Sequence, residues 1–289
     1  MGDLIAVTGA SGALGGRVAR RLADTGADIR LVVRDAARAP AIDGAQIAVA
    51  SGYEDRDGLT EALRGAETVF LVSARESIDR VSVHRTAVDA AVAAGVRRIV
   101  YTSFLGAAPD AVFTFARDHF ATEQHIRGTG LEHTFLRDSM YAEYVPLMAS
   151  ADGVIRGPAG AGRTAWVSRD DVADAAVAVL TTDGHDGYTY ELTGPEAHSF
   201  SWAAGQLTEI TGRLVVFQDE TVEEAYATRA VYDAPAFEVD GWVTSYTAVA
   251  AGEMDVVTDA VERLTGRRAQ RLPEVLAAHP GSWAHLRVS

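Results

Sequence analysis

The sequence predicts an α/β protein built on a doubly wound parallel sheet, with a smaller, mixed, mostly helical C-terminal lobe. Three observations lead there. Strand and helix signals alternate through the first two thirds of the chain. The strand segments are continuous apolar runs, as expected for a sheet covered on both faces. After about residue 141 the alternation stops, and glycine-rich, then helical, sequence follows.

The elements follow in order. Leu4–Val7 is a short apolar run ended by Thr8 and Gly9. Leu14, Val18 and Leu22 recur every four residues, a helical stripe that Gly26 closes. Ile29–Val33 and Gln46–Val49 read as the second and third strands, Leu59–Leu63 as a short helix closed by Gly65, and Thr68–Val72 as the fourth strand. Val81–Ala94 is an Ala/Val-rich helix ending at Gly95. Arg98–Thr102 is the fifth strand, Arg117–Arg127 a helix closed by Gly128, and Thr134–Leu136 the sixth strand. Gly153, Gly157, Pro158, Gly160 and Gly162 mark an irregular segment. Asp170 and Asp171 are expected to cap a helix running to Leu180. Tyr188–Thr193 reads as a strand, Ser201–Thr211 as a helix, Leu214–Gln218 as extended, and the rest as mostly helical. The expected division is a sheet domain over 1–152, completed by 163–194, and a substrate lobe over 195–289 with 141–162.

Composition removes several chemistries. The 289 residues carry 26 Lys+Arg against 40 Asp+Glu, for a formal charge of −14, and every one of the basic residues is Arg. There is no Lys, no Asn and no Cys. Disulfides, thiolate nucleophiles, Cys-type zinc sites, Schiff bases and a P-loop Lys are therefore excluded. The histidines show no metal-binding spacing and no G-x-S-x-G elbow occurs, so neither a metal site nor a hydrolase is expected. The acidic balance argues against nucleic-acid and anionic-membrane partners. No apolar run is long enough to span a bilayer, and the first strand begins at Leu4, so a cytoplasmic protein is expected. The Ala/Arg/Asp-rich wording fits a high-GC bacterial source.

The first motif lies between the first strand and the first helix. In Val7-Thr8-Gly9-Ala10-Ser11-Gly12-Ala13-Leu14-Gly15 the glycines are spaced G-x-x-G-x-x-G. Gly9 allows the tight turn, Gly12 lets backbone N–H groups approach a pyrophosphate, and Gly15 lets the helix pack close to the sheet. The positive helix end would hold the pyrophosphate. The second strand ends Val32-Val33-Arg34-Asp35. An Arg there suits a ribose 2′-phosphate, with Arg38 as a second clamp, so NADP(H) is expected ahead of NAD(H), with Asp35 keeping the latter open.

Several separated segments resemble one family. The runs IAVTGASGALGGRVARRLADTGADIRLVVRDAAR, HRTAVDAAVAAGVRRIVYTSFLGA, DHFATEQHIRGTGLEHTFLRDSMYAEY, VSRDDVADAAVAVL, YELTGP and VERLTGRRAQRLPEVL occur in the family's order. They resemble the NmrA-like atypical short-chain dehydrogenases, above all the NAD(P)H:quinone oxidoreductase and triphenylmethane reductase branch. The resemblance implies a seven-stranded Rossmann sheet, a small substrate lobe and a cleft between them. It implies that Thr8, Gly9, Ser11, Gly12, Ala13, Leu14 and Arg34 grip the adenosine end. It also implies that Val72, Ser73, Ala74, Thr102, Ser103 and the Arg137-Asp138-Ser139-Met140-Tyr141 loop line the nicotinamide side. Two positions depart from the pattern. Gly52 precedes Tyr53 where the family often has Asp, which puts an adenine contact in question. Asp138 stands where the family places Asn, and a carboxylate cannot donate as an amide does.

Typical short-chain dehydrogenases use Tyr-x-x-x-Lys, which a chain without Lys cannot contain. At the corresponding helix stands His119-x-x-x-Glu123, and this spacing puts both on one face. Glu123 is expected to orient or charge His119 as a proton donor. Tyr141, followed by Tyr144, is expected to touch nicotinamide or substrate and polarise a carbonyl, and Ser103 is a second hydroxyl candidate. The expected activity is hydride transfer from NAD(P)H to a small quinone or conjugated aromatic carbonyl, with tailoring of an aromatic polyketide as one such setting. The competing expectation is an NADP(H)-binding sensor without turnover. Monomer and homodimer both remain open.

Overall fold

A computed structural model describes residues 3–287. Seven strands form one sheet in the order β3-β2-β1-β4-β5-β6-β9. They are β1 (Ile5–Thr8), β2 (Ile29–Val33), β3 (Gln46–Val49), β4 (Thr68–Leu71), β5 (Arg98–Phe104), β6 (Glu132–Asp138) and β9 (Thr189–Leu192). The reversal between β1 and β4 is the doubly wound topology that the alternation predicts. The central strands are apolar because helices cover both faces: every residue of β1 and of β4 is buried. At the outer edge, β3 is mostly exposed.

The crossovers are α1 (Gly15–Asp24), α2 (Arg56–Leu63), α3 (Arg80–Ala93), α4 (Thr114–Thr129) and α6 (Arg169–Thr181). In α1, Val18, Ala19 and Leu22 are fully buried, as the four-residue stripe requires. Asp170 in the first turn of α6 pairs with Arg17 at 3.0 Å and Arg21 at 2.7 Å, so it binds two α1 residues. Two further small sheets pair β7 (Val154–Gly157) with β11 (Val216–Asp219) and β8 (Arg163–Thr164) with β10 (His198–Ser199). The remaining helices are α5 (Val145–Met148), α7 (Phe200–Thr211), α8 (Val222–Arg229), α9 (Ala236–Ala250), α10 (Ala260–Thr265) and α11 (Leu272–Ala278).

The chain forms two compact units. The first comprises Met1–Phe104, Asp118–Arg137 and Asp170–Tyr190; the second comprises Leu105–Arg117, Asp138–Arg169 and Glu191–Ser289. The sequence drew its main boundary at 152, whereas the chain leaves the first unit already at the ends of β5 and β6. The residues that follow β5 and β6 therefore belong to the second unit. Linear spacing does not reveal that, because a strand signal says nothing about where its successor packs.

Among the described residues no helix is long and apolar enough to cross a membrane. None of the described His, Asp and Glu residues form a group of three or more that could hold a metal ion.

Candidate functional site

The turn after β1 fits a pyrophosphate. Gly9 has φ +59°, a conformation that favours glycine. A Cβ on Gly15 would lie 2.4 Å from the Gly9 carbonyl oxygen, so only glycine lets the helix start this close to the turn. Gly12 N–H donates to that same carbonyl at 2.8 Å, which closes the loop on itself. No side chain caps the N-terminus of α1 and its first turn has no acidic residue. Its backbone donors and positive dipole end are left for an anion. Ser11, Gly12 and Ala13 are exposed, while Leu14 is buried under the turn.

The register Thr8↔Val32 puts Arg34 two residues beyond the partner of Thr8, at the same sheet end as this turn. Arg34 and Arg38 are both exposed, and neither takes part in an ion pair among the described residues. Asp35 is occupied: its carboxylate accepts from Ala37 N–H at 3.0 Å and caps a short turn. The residue that would favour a free ribose hydroxyl is thus engaged locally, while the two guanidinium groups suited to a phosphate are open.

The segment Val72–Ala74 after β4 is fixed through almost every backbone group. Val72 N–H donates to Thr8 Oγ1 at 3.0 Å, and the Tyr53 hydroxyl donates to the Val72 carbonyl at 2.7 Å. Ser73 N–H donates to Thr102 Oγ1 at 2.7 Å and Ala74 N–H to His84 Nε2 at 2.8 Å. Arg80 Nε donates to the Ala74 carbonyl at 3.0 Å. Thr8 Oγ1 and Tyr53 Oη are 2.5 Å apart. Tyr53 therefore uses its hydroxyl inside the protein and offers a ligand only its half-buried ring.

These bonds determine two histidine tautomers. His84 Nε2 accepts from Ala74, so Nδ1–H donates to Thr122 Oγ1 at 2.8 Å. Burial, with the nearby Arg80 charge, lowers the His84 pKa to about 3. His119 Nε2 faces Arg80 Nη2 at 3.2 Å and must accept, so its Nδ1–H donates to the Tyr101 hydroxyl at 2.9 Å. Burial, then Arg80, holds the His119 pKa well below the ordinary histidine value.

Three sequence expectations change here. Glu123 does not charge His119. Its carboxylate receives Arg137 Nε at 2.8 Å and Nη2 at 2.7 Å, a two-pronged pair with the carboxylate fully buried. His119 is a neutral, buried imidazole with both nitrogens engaged, which does not suit a proton donor near neutral pH. Ser103 lies within β5, and its hydroxyl donates to Glu123 Oε1 at 2.6 Å, so its proton is not available to a carbonyl. One turn of helix brings Glu123 near His119 in sequence, but the guanidinium of Arg137 outcompetes a neutral imidazole for a buried carboxylate.

In the second unit, Asp138 ends β6 and is buried. The Tyr141 hydroxyl donates to its Oδ2 at 2.6 Å. Burial raises the Asp138 pKa to about 8 against the opposing effect of this bond. Burial and the Asp138 charge push the Tyr141 pKa up as well. Asp138 Oδ1 and Ser139 Oγ are buried with no hydrogen-bond partner in the protein. The Arg169 guanidinium sits 4.6 Å from the Tyr141 ring centre and 4.4 Å from that of Tyr144. Glu143 reaches 26 residues ahead and accepts from Arg169 N–H at 2.9 Å, at the first residue of α6. Asp170 and Asp171 stand in the same first turn, as the sequence leads one to expect.

The structure thus joins Thr8, Tyr53, Val72, Ser73, Ala74 and Thr102 in one bonded system, and Ser103 with Arg137 through Glu123. Asp138 and Tyr141 form a pair of their own, and His119 joins Arg80 and Tyr101 instead of Glu123. Sequence reasoning missed Arg80, Tyr101 and Arg169. Nothing in their local spacing signals a role, since each acts on a partner at least six residues away. Phe237 and Trp242 are partly buried, and Tyr246 is a core residue whose ring lies tilted against that of Phe200, with centres 4.8 Å apart.

The model of the NAD(P)H-binding family matches residues 9–183. Quinone oxidoreductase 2 of Escherichia coli is 38% identical over 222 residues, which is 75% of this chain and 77% of that protein. The (4-alkanoyl-5-oxo-2,5-dihydrofuran-3-yl)methyl phosphate reductase of Streptomyces griseus is 36% identical over 291 residues, covering 97% of this chain and 99% of that protein. The crystal structure of the E. coli quinone oxidoreductase with NADPH superposes with a TM-score of 0.87 at 33% identity, covering 95% of this chain and 99% of the other. The Citrobacter triphenylmethane reductase gives 0.84 at 31% identity, covering 95% and 98%. The chain belongs to the NAD(P)H-binding family, in its NmrA-like branch of quinone oxidoreductases and triphenylmethane reductases.

Proposed function

We propose that this protein is an NADPH-dependent reductase of quinones and conjugated aromatic carbonyl compounds. The observation that carries the cofactor choice is Arg34, exposed and without an ion pair among the described residues beside a turn that only glycine can form, while Asp35 is tied to Ala37. The acceptor class is supported by relatives whose names specify a quinone, an azo compound and triphenylmethane dyes.

When bound, the reduced nicotinamide supplies the hydride. The chain's own part is to bind, orient and shield. The N-terminus of α1 and the glycine turn would hold the pyrophosphate, and Arg34 with Arg38 the 2′-phosphate. Val72–Ala74, fixed by Thr8, Tyr53, Thr102, His84 and Arg80, offers a rigid backbone edge. His119, through Tyr101, is a positioning residue. Ser103, Glu123 and Arg137 form a buried brace between β5, α4 and β6. Tyr141 is the hydroxyl we assign to the acceptor oxygen.

The test is NADPH oxidation against a panel of simple quinones, a conjugated enone and a cationic triphenylmethane dye, with NADH in parallel. Turnover of at least one acceptor with NADPH favoured supports the reading. Micromolar NADPH binding with no turnover of any acceptor would replace it with the sensor reading.

A further inference from the structure

We propose that Asp138 is the proton source behind Tyr141: a proton passes from its carboxyl to the Tyr141 hydroxyl as that hydroxyl protonates the oxygen of a carbonyl acceptor. This rests on the reductase reading above. Asp138 acts through Tyr141 and is a positioning and proton-supplying residue; Tyr141 is the catalytic one.

The two oxygens are 2.6 Å apart, and the phenol that donates to the carboxylate accepts from the carboxyl once Asp138 carries a proton, which frees the Tyr141 O–H for the acceptor. Asp138 is 2% exposed, whereas Tyr141 keeps part of its side-chain surface open. No cation lies within ion-pair distance of the Asp138 carboxyl among the described residues. Arg137, next in sequence, binds Glu123, and Arg169 stacks on the Tyr141 ring instead of reaching the carboxyl. A buried carboxylate without a cation is costly, so the group keeps its proton near neutral pH. Its pKa of about 8 follows from burial, opposed by the Tyr141 bond. The other charged or titratable groups of this cluster are Arg169, Glu143 and Tyr144, and none of them is a cause of that shift. Arg169 over the ring lowers the cost of transient negative charge on the phenol. Asp138 Oδ1 and the neighbouring Ser139 Oγ are buried and unpartnered, an arrangement that the protein by itself leaves unsatisfied.

The balance is simple. Hydride from the reduced nicotinamide forms a C–H bond at the acceptor as the C=O π bond breaks onto oxygen. That oxygen takes the Tyr141 proton, the Asp138 acid returns one to Tyr141, and after product leaves a proton from water returns to Asp138 along the same Tyr141 bond. A cationic triphenylmethane dye accepts hydride alone and needs no proton. The pair therefore sets an acceptor preference: carbonyl oxygens gain from it, and carbocations do not.

The experiment compares wild type, Asp138→Asn and Tyr141→Phe on an enone or quinone and on the dye, each across pH. Asn keeps the shape and a hydrogen bond but supplies no proton. The ratio of carbonyl to dye kcat should fall roughly 100-fold in Asp138→Asn. Wild-type carbonyl kcat should decline as pH rises through about 8, and this limb should vanish in the variant. The wild-type-minus-variant infrared spectrum of the cofactor-free protein should show a protonated carboxyl at about pH 6 that titrates away with the same midpoint. Equal loss for both acceptors, persistence of the alkaline limb in Asp138→Asn, or an ionised Asp138 at about pH 6 would overturn the proposal. Absence of turnover with every acceptor, with the infrared signal present, would instead overturn the reductase reading on which it rests.

Discussion

Arg80 donates through Nη2 to His119 Nε2 across 3.2 Å, and that contact determines the state of the imidazole. An arginine has no acceptor, so His119 Nε2 carries no proton and Nδ1 carries the only one. The ring is then a neutral spacer between Arg80 and Tyr101. Replacing it with Gln, which can accept at one end and donate at the other, should keep kcat within a few-fold and leave the pH profile unchanged. His119→Ala should instead lower stability by roughly 1–3 kcal/mol, measured by urea unfolding, because buried partners lose their bonds. A large kcat loss in His119→Gln with unchanged stability would restore the proton-donor role.

His84 makes stability depend on acid. Its folded pKa of about 3 lies below that of an unfolded histidine. Unfolding therefore takes up a proton at this site once the pH drops below about 6.5. The stabilisation is present above that value and is lost as pH falls towards the folded pKa. Relative to His84→Gln, the wild type should lose up to about 1.4 kcal/mol for each pH unit below 6.5. Paired urea titrations at pH values on either side of 6.5 check this, and parallel curves for the two proteins would refute it.

Glu123 and Arg137 form a two-pronged pair around a fully buried carboxylate. Removing one charge leaves the other unbalanced. Glu123→Gln should cost roughly 3–5 kcal/mol in chemical unfolding. The double variant Glu123→Gln with Arg137→Met should recover much of it. If the double change costs as much as the sum of the single ones, the two residues are not coupled.

Arg34→Ala should weaken NADPH by roughly 10–100-fold, the worth of one charge-assisted contact, and leave NADH nearly unchanged. Fluorescence titration with each cofactor decides the matter. Equal weakening of both would remove the 2′-phosphate assignment.

The sequence made some of these residues visible and hid others. The glycine turn was legible because its spacing, its place between a strand and a helix, and the demand for a missing Cβ at Gly15 are all local. Arg34 was legible for the same reason, as the residue just past a recognisable strand. His119 and Glu123 were legible as a pair on one helix face, yet the pairing was wrong. Helical spacing says which groups are neighbours; it does not say that Arg137 from a strand and Arg80 from another helix will reach them first.

What the sequence alone determined is the order of strands and helices, the glycine turn after the first strand, the lack of any Lys-dependent acid and the family. These follow from periodicity and from residue chemistry within a few positions along the chain. Only the tertiary structure decided which carboxyl meets a cation and which histidine is neutral. Glu123 meets a guanidinium, and Asp138 meets a phenol and no cation among the described residues. Protonation depends on desolvation and on the nearest charge, and both are fixed only when distant segments pack together.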